Sequence, residues 1–514
     1  MIRKEKTVKE MALCWAISLA TQMTPLVFAS ETPRVIALID QPPTTLNPRM
    51  TLDASGQRIN ALLFAALTRM GPSLEVLPDL ATRWSHKDSY RRWVFQIHPG
   101  ATDHSGRPIT AQDLIQCFSQ YSSGKPRALA VQALPEIKKL SATKDTLTFE
   151  LLRGDPWFSR NVTLLRYFRQ EGQTPCSDPK PEKPIIASGS FRAQPFSLTP
   201  TNELNLERRT PQGSFEPAGR LLIIRDETTR TLRLLRGEAS IVQNGFSPQR
   251  TRWLHNRHPE RFHLVEAPGV NVSYLAFNLR DPFLKDLRVR RALAMAIPVD
   301  SIIQNRLARM ADPATSFLAP FLPEAHSPAR IPYDPAQATQ LLDEAGFLRD
   351  PQTGWRQGLK LSFKTTPIRE GQEIVRIIQD AWKKIGIQLQ IEVVEQAVFL
   401  ASVRRGAFQL SLGRWIGVAD ASILERSLRS GSSSNRSGYS NSKVDALLDL
   451  VAAESNPSRR HIALQELQEQ MMLDLPYFPL WFWKNAVLYT KTLGSLSPHQ
   501  LSRSGALAPL FQVH

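Results

Sequence analysis

Residues 271–300 read NVSYLAFNLRDPFLKDLRVRRALAMAIPVD: a strand, a turn and a helix in unbroken succession. Val272, Tyr274, Ala276 and Asn278 alternate with Ser273, Leu275 and Phe277. Apolar and aromatic residues in that setting mark a strand buried on at least one face. Asp281-Pro282 breaks it, and from Leu287 the period becomes helical. Val289, Ala292, Leu293 and Ala296 share one face, Arg288 and Arg291 lie off it, and Pro298 ends the helix. Taken alone, this is a βα unit of a core.

The chain around it has 514 residues, more than one ordinary hydrophobic core supports, so two or more lobes are expected. With 42% hydrophobic and 22% charged residues it has the composition of a folded protein, and its 38 prolines favour loops over long helices. The formal charge of +17 is carried mainly by scattered arginines and not by dense basic blocks, which argues against a nucleic-acid partner. It fits an anionic surface, an acidic ligand or a solvated exterior.

Arg3, Lys4, Lys6 and Lys9 precede an uncharged run over 11–30 that contains Val27-Phe28-Ala29. This is the pattern of a secretory leader with a small-x-small cleavage site. A retained membrane anchor is the alternative, because the run approaches spanning length, but Thr21, Gln22, Thr24 and Pro25 thin its second half. Leu13 before Cys14 departs from a lipoprotein box. The expectation is a soluble periplasmic protein that loses residues 1–29, and with them only four basic and two acidic residues. Cys117 and Cys176 then remain, either as one disulfide or as two buried thiols.

Further strands are predicted at 35–39, 93–97, 146–152, 221–225, 387–391 and 408–415, and helices at 229–237, 334–346, 373–385 and, largely, 445–472. Asp334-Pro335 is a favoured helix start, Gly237, Gly346 and Gly386 are favoured stops, and Thr110 with Asp113 forms a cap. Helix followed by strand, twice, makes the later part a mixed α/β lobe. No nucleophile elbow, phosphate-binding loop or zinc-protease motif occurs, and the cysteines lack metal-ligand spacing. His255, His258 and His263 cluster in sequence, for which a polar surface helix or loop end is a simpler reading than a metal site. Binding is therefore the simpler reading, and no cofactor is expected.

The wording of the opening segment resembles the "YLxFN" strand and "PFxDxRVRxALxxAID" helix of the family 5 extracellular solute-binding proteins, the peptide receptors of ABC importers. The matching residues include Tyr274, Leu275, Phe277, Asn278, Pro282, Phe283, Asp286, Arg288, Val289, Arg290, Ala292, Leu293 and Ala296. Further similarities follow in family order: Leu46-Asn47-Pro48, Pro78 to Trp84, a partial match at Ser188-Gly189-Ser190-Phe191, and a nearly complete one from Asp334 to Gly346.

The resemblance implies a two-lobed α/β binding protein with mixed sheets, a hinge and a small extra subdomain. The boundaries expected are 30–62, 185–272 and 483–514 for the first lobe, 63–184 for its subdomain and 273–482 for the second lobe. It also implies a peptide or peptide-like ligand in the cleft, membrane permease and ATPase partners, a monomer, and no catalytic step. In the family an aspartate that anchors the ligand's amine follows a "GW" motif. Here the stretch is Gly413-Arg414-Trp415-Ile416-Gly417-Val418-Ala419-Asp420, with Val418 at the usual place of the anchor. Arg414, Trp415, Gly417, Asp420 and, from the "N-x-x-GYxN" loop, Asn435 are the candidate ligand-binding residues. If Asp420 does not substitute for the anchor, an acidic or N-blocked ligand is favoured. The alternatives are a non-peptide anion, haem or a metal complex in the same fold, or a secreted hydrolase or periplasmic chaperone.

Overall fold

The alternation predicted over 272–278 is the end of a much longer strand, Phe262–Phe277, which pairs antiparallel with the equally long Tyr477–Thr490. The computed structural model describes residues 35–51, 53–123, 134–180, 182–194, 203–494 and 506–511; the expected leader and cleavage site lie outside them. Within this range one sheet holds eleven strands. Its order is Gln388–Val393, Lys360–Thr365, Leu410–Trp415, Phe262–Phe277, Tyr477–Thr490, Ile241–Gln243, Val35–Ile39, Phe215–Ile223, Glu203–Arg209 and Phe191–Gln194, with Ala311–Pro313 paired to Tyr477–Thr490.

Three buried clusters form along this sheet, the smallest around Leu38, Leu222, Leu234 and Leu488. Of the two larger, one gathers Val270, Leu293, Phe363, Trp382, Leu467 and Phe482; the other gathers Ile39, Phe95, Phe149, Phe191, Leu221 and Val487. The protein therefore has two lobes, with the long strand pair running through both. Residues 262–267 pair with 485–490 in the first lobe, 271–276 pair with 477–483 in the second, and the register slips between Ala267 and Asn271. At the slip a Cβ on Gly269 would stand 2.2 Å from the Trp483 carbonyl oxygen. Only glycine allows the two backbones that approach.

A four-stranded antiparallel sheet, Ala81–Lys87, Arg92–Ile97, Thr146–Leu151 and Ile137–Ala142, adds a subdomain to the first lobe. The helix Ala111–Ser123 packs on it, and the Thr110–Asp113 cap is formed reciprocally through side chain and backbone. Cys117 and Cys176 form a disulfide, which decides between the two readings above.

Helix boundaries follow the expected chemistry. Asp286 and Asp334 accept backbone N–H groups at the starts of Leu287–Met295 and Pro335–Glu344, and Gly237 and Gly346 take left-handed conformations after their helices. Arg290 is buried and donates to the carbonyls of Leu284, Lys285, Asp474 and Leu475, tying the helix to the return strand. The largely helical stretch expected over 445–472 is found as two helices, Ser442–Ala453 and Pro457–Asp474. Asn456 caps the second and Pro457 occupies its first turn, so the chain restarts there instead of continuing.

Candidate functional site

In the first lobe Val35–Ile39 runs parallel to Phe215–Ile223 and Ile241–Gln243. In the second, Lys360–Thr365 runs parallel to Gln388–Val393 and Leu410–Trp415. Loops at the carboxyl ends of strands from both sets, carrying Asp40, Asn244, Ile368, Glu395 and Ile416, line one cleft of about 2480 Å³. Open α/β sheets bind ligands at this edge, where loops diverge and backbone groups are unpaired. The cleft walls hold seven arginines and eight carboxylates, so the basic excess of the chain is not gathered there. Arg58 is among them, held down to about 10 by burial and opposed by Asp40.

Arg414, Gly417 and Asp420 line the cleft. Arg414 Nη2 donates to Glu370 Oε1 at 3.0 Å, and its guanidinium lies 4.1 Å from the centre of the Trp483 ring. Gly417 has φ +67°, and its N–H donates to Asn271 Oδ1 at 2.8 Å, pinning the loop to the long strand. The other two candidates lie elsewhere. Trp415, the next residue along the strand, turns to the opposite face. It stacks on Tyr274 at 5.5 Å beneath the Arg436 guanidinium. Gly413 makes room for this packing, because a Cβ there would meet the Tyr274 ring at 2.3 Å. Asn435 is buried in its own turn, donating to the Arg429 and Tyr439 carbonyls and accepting from the Ser437 hydroxyl.

Asp420 is 6% exposed and accepts from the Ser422 N–H. Its principal partner comes from the first lobe: Arg160 Nη1 stands 3.3 Å from Asp420 Oδ2 and donates to the Ala419 carbonyl at 2.7 Å, while Nη2 donates to Leu74 at 3.1 Å. Trp157 Nε1 donates to Glu324 at 3.0 Å, Arg153 pairs with Asp449, and Arg460 donates to the Tyr90 hydroxyl. Residues 153–160 thus bridge the lobes.

Asp155 lies in the same bridge, accepting from Trp157 N and Asn161 Nδ2. Burial first, and then the neighbouring Asp420, raise its pKa to about 6 against the pull of those hydrogen bonds. Glu324 is raised in the same way, by burial and by Asp420. A carboxyl whose pKa is raised on folding binds its proton more tightly when folded, so its contribution favours the fold at low pH and is lost as pH rises through about 6. The shift corresponds to on the order of 2–3 kcal/mol at most. The melting temperature of Asp155→Asn is therefore expected to gain a few degrees on the wild type between pH 5 and pH 7. Parallel pH profiles in calorimetry would contradict the assignment.

The family model described as bacterial extracellular solute-binding proteins, family 5 Middle, matches residues 75–434. The chain belongs to this family. Among family 5 relatives, it is 25% identical to the "Probable deoxycholate-binding periplasmic protein YgiS" of Escherichia coli K12, covering 95% of this chain and 96% of that one. It is 23% identical to the "Periplasmic murein peptide-binding protein MppA" of the same organism, covering 92% of each. The solved structure of the oligopeptide-binding protein AppA from Bacillus subtilis, in complex with a nonapeptide, superposes with a TM-score of 0.76 at 18% identity over 93% of this chain and 98% of that one. This family 5 protein is thus a solute-binding protein of the two-lobed periplasmic fold. Among its described residues no helix is long and apolar enough to cross a membrane, and no three His, Cys, Asp or Glu side chains are grouped to hold a metal.

Of the expected site residues the structure brings Arg414, Gly417 and Asp420 to the cleft; Arg160 and Asp155, which meet Asp420 there, were not among the candidates. Their one local signal is the Asp155-Pro156-Trp157 turn after the predicted strand. Nothing in it points across the 259 residues that separate Arg160 from Ala419.

Proposed function

We propose that this protein captures a peptide or peptide-like solute in the periplasm and delivers it to the permease and ATPase subunits of an ABC importer, as a monomer and without a catalytic step. The observation that carries the reading is the cleft of about 2480 Å³, walled by strand ends of both lobes and spanned by the Arg160–Asp420 ion pair. It exceeds the usual range for a small-molecule site, roughly 300–1,000 Å³, and so has room for several residues of peptide. MppA, a relative over nearly the whole chain, supports the ligand class; YgiS is the relative that favours a non-peptide organic solute in the same cleft. Export by a cleavable leader at residues 1–29 accords with the periplasmic relatives.

The register slip at 267–271, with Gly269 against Trp483, serves as the hinge. Closure brings residues 153–160 onto the second lobe, and ligand contacts made in the closed form supply the affinity. Asp420 acts in closure. Because Arg160 already neutralises it, a free α-amine on the ligand is not required. The test is native mass spectrometry of protein purified without denaturation, followed by release and identification of what it carries. Short peptides or modified peptides are the expected result; a single non-peptide species would overturn the peptide reading.

A further inference from the structure

Large aliphatic side chains left exposed on a folded surface are costly unless something covers them, and a contiguous set marks a contact site. Thirteen large hydrophobic residues are exposed among the described residues, and five of them, Ile368, Val393, Val398, Leu400 and Ile416, come from one place. Of the three parallel strands Lys360–Thr365, Gln388–Val393 and Leu410–Trp415, the second ends on Val393, the other two are followed by Ile368 and Ile416, and Val398 and Leu400 lie on the helix Gln396–Arg405 that comes after the second. Ile368 and Ile416 are each 62% exposed, and both line the cleft with Leu400. From the first lobe Leu152, also exposed, lines the same space.

Arg414 borders this platform on the same strand end as Ile416. Glu370 engages one terminal nitrogen and the Trp483 ring supports the plane of the guanidinium. Among the described residues its Nε and Nη1 make no hydrogen bond, and the side chain is 42% exposed within the cleft. An arginine oriented by two neighbours, with donors left over, is prepared to receive an anion.

Building on the function proposed above, we infer that the ligand is an amphipathic acid. Its apolar body rests on Ile368, Leu400 and Ile416, and its carboxylate or equivalent anionic group reaches Arg414. A blocked apolar peptide ending in a carboxylate and a non-peptide aliphatic acid share this chemistry.

Isothermal titration of the mature protein distinguishes these sources with four probes: acetyl-trileucine as the free acid, its C-terminal amide, acetyl-triglycine as the free acid, and decanoate. The expected result is that acetyl-trileucine acid or decanoate binds at least about tenfold more tightly than acetyl-triglycine, given the apolar area each covers. Whichever of the two binds more tightly identifies the source. Ile368→Ser with Ile416→Ser should remove that advantage. Arg414→Gln should weaken the acid about tenfold and leave the amide unchanged. Both sites are solvent-exposed, and an unchanged melting temperature in the absence of ligand would establish that the variants fold.

Equal binding of acetyl-triglycine, or an Ile368/Ile416 variant that binds as the wild type does, overturns the inference. So does failure of both apolar acids to bind. If free, polar peptides bind and neither variant matters, the inference fails while the peptide-receptor reading stands. If the purified protein carries no peptide and binds none of the peptide probes, the receptor reading fails as well.

Discussion

Arg160→Ala is expected to weaken binding of the co-purifying ligand about a hundredfold, with little change in the melting temperature of the ligand-free protein. Asp420 is nearly fully buried when the lobes meet, and Arg160 is its cationic partner. Without the guanidinium the carboxylate keeps, among the described residues, the Ser422 N–H, while Asp155 and Glu324 face it with like charge. The carbonyls of Ala419 and Leu74 lose their donors as well. Breaking a buried pair by removing one partner costs about 3–5 kcal/mol. Arg160 keeps 19% of its side chain exposed, so the lower end applies.

The penalty falls on the closed form alone, because opening about the hinge proposed above returns Asp420 to water. A shift of about 3 kcal/mol in closure lowers apparent affinity about a hundredfold, since only the competent fraction binds. Titration calorimetry measures the affinity, and small-angle scattering reads closure. In a double-mutant cycle, Asp420→Ala on the Arg160→Ala background should recover part of the loss, because the stranded charge is gone. Unchanged affinity and unchanged scattering in Arg160→Ala would remove the pair from the mechanism.

Replacing Cys117 and Cys176 together by serine is expected to destabilise the first lobe by about 4 kcal/mol, from the loop-closure entropy that the bond removes from the unfolded chain. The bond closes a loop of 59 residues. It joins the subdomain helix Ala111–Ser123 to residues 166–177, where the Tyr121 hydroxyl also donates to the Arg166 carbonyl. Both sulfurs are buried, so the serine hydroxyls add a desolvation cost. Calorimetry of the double variant should show a separate, lower transition for the first lobe. Titrating the wild type with a reductant should reproduce it. A single transition at the wild-type temperature would show that packing alone holds the subdomain.

The sequence was most legible where partners lie a few residues apart. The strand over 272–277, buried on both faces, the caps at Asp286 and Asp334 and the glycine stops at Gly237 and Gly346 are all found in place. Asn456-Pro457 is a further local signal of this kind, dividing the helical stretch expected over 445–472. The candidate site was legible in part. Period two separates Arg414 from Trp415 onto opposite faces, but it does not say which face meets the cleft.

The sequence by itself determined the family, the α/β class and most of the elements, because propensity, capping and strand alternation act between neighbours along the chain. The tertiary structure decided which of those elements meet at the cleft. It brought Arg414 into one cleft with Ile368, Leu400 and Ile416, stacked Trp415 on Tyr274, and set Arg160 against Asp420. These arrangements depend on strand order in the sheet and on the approach of two lobes. They join residues whose separation along the chain bears no relation to their distance in space.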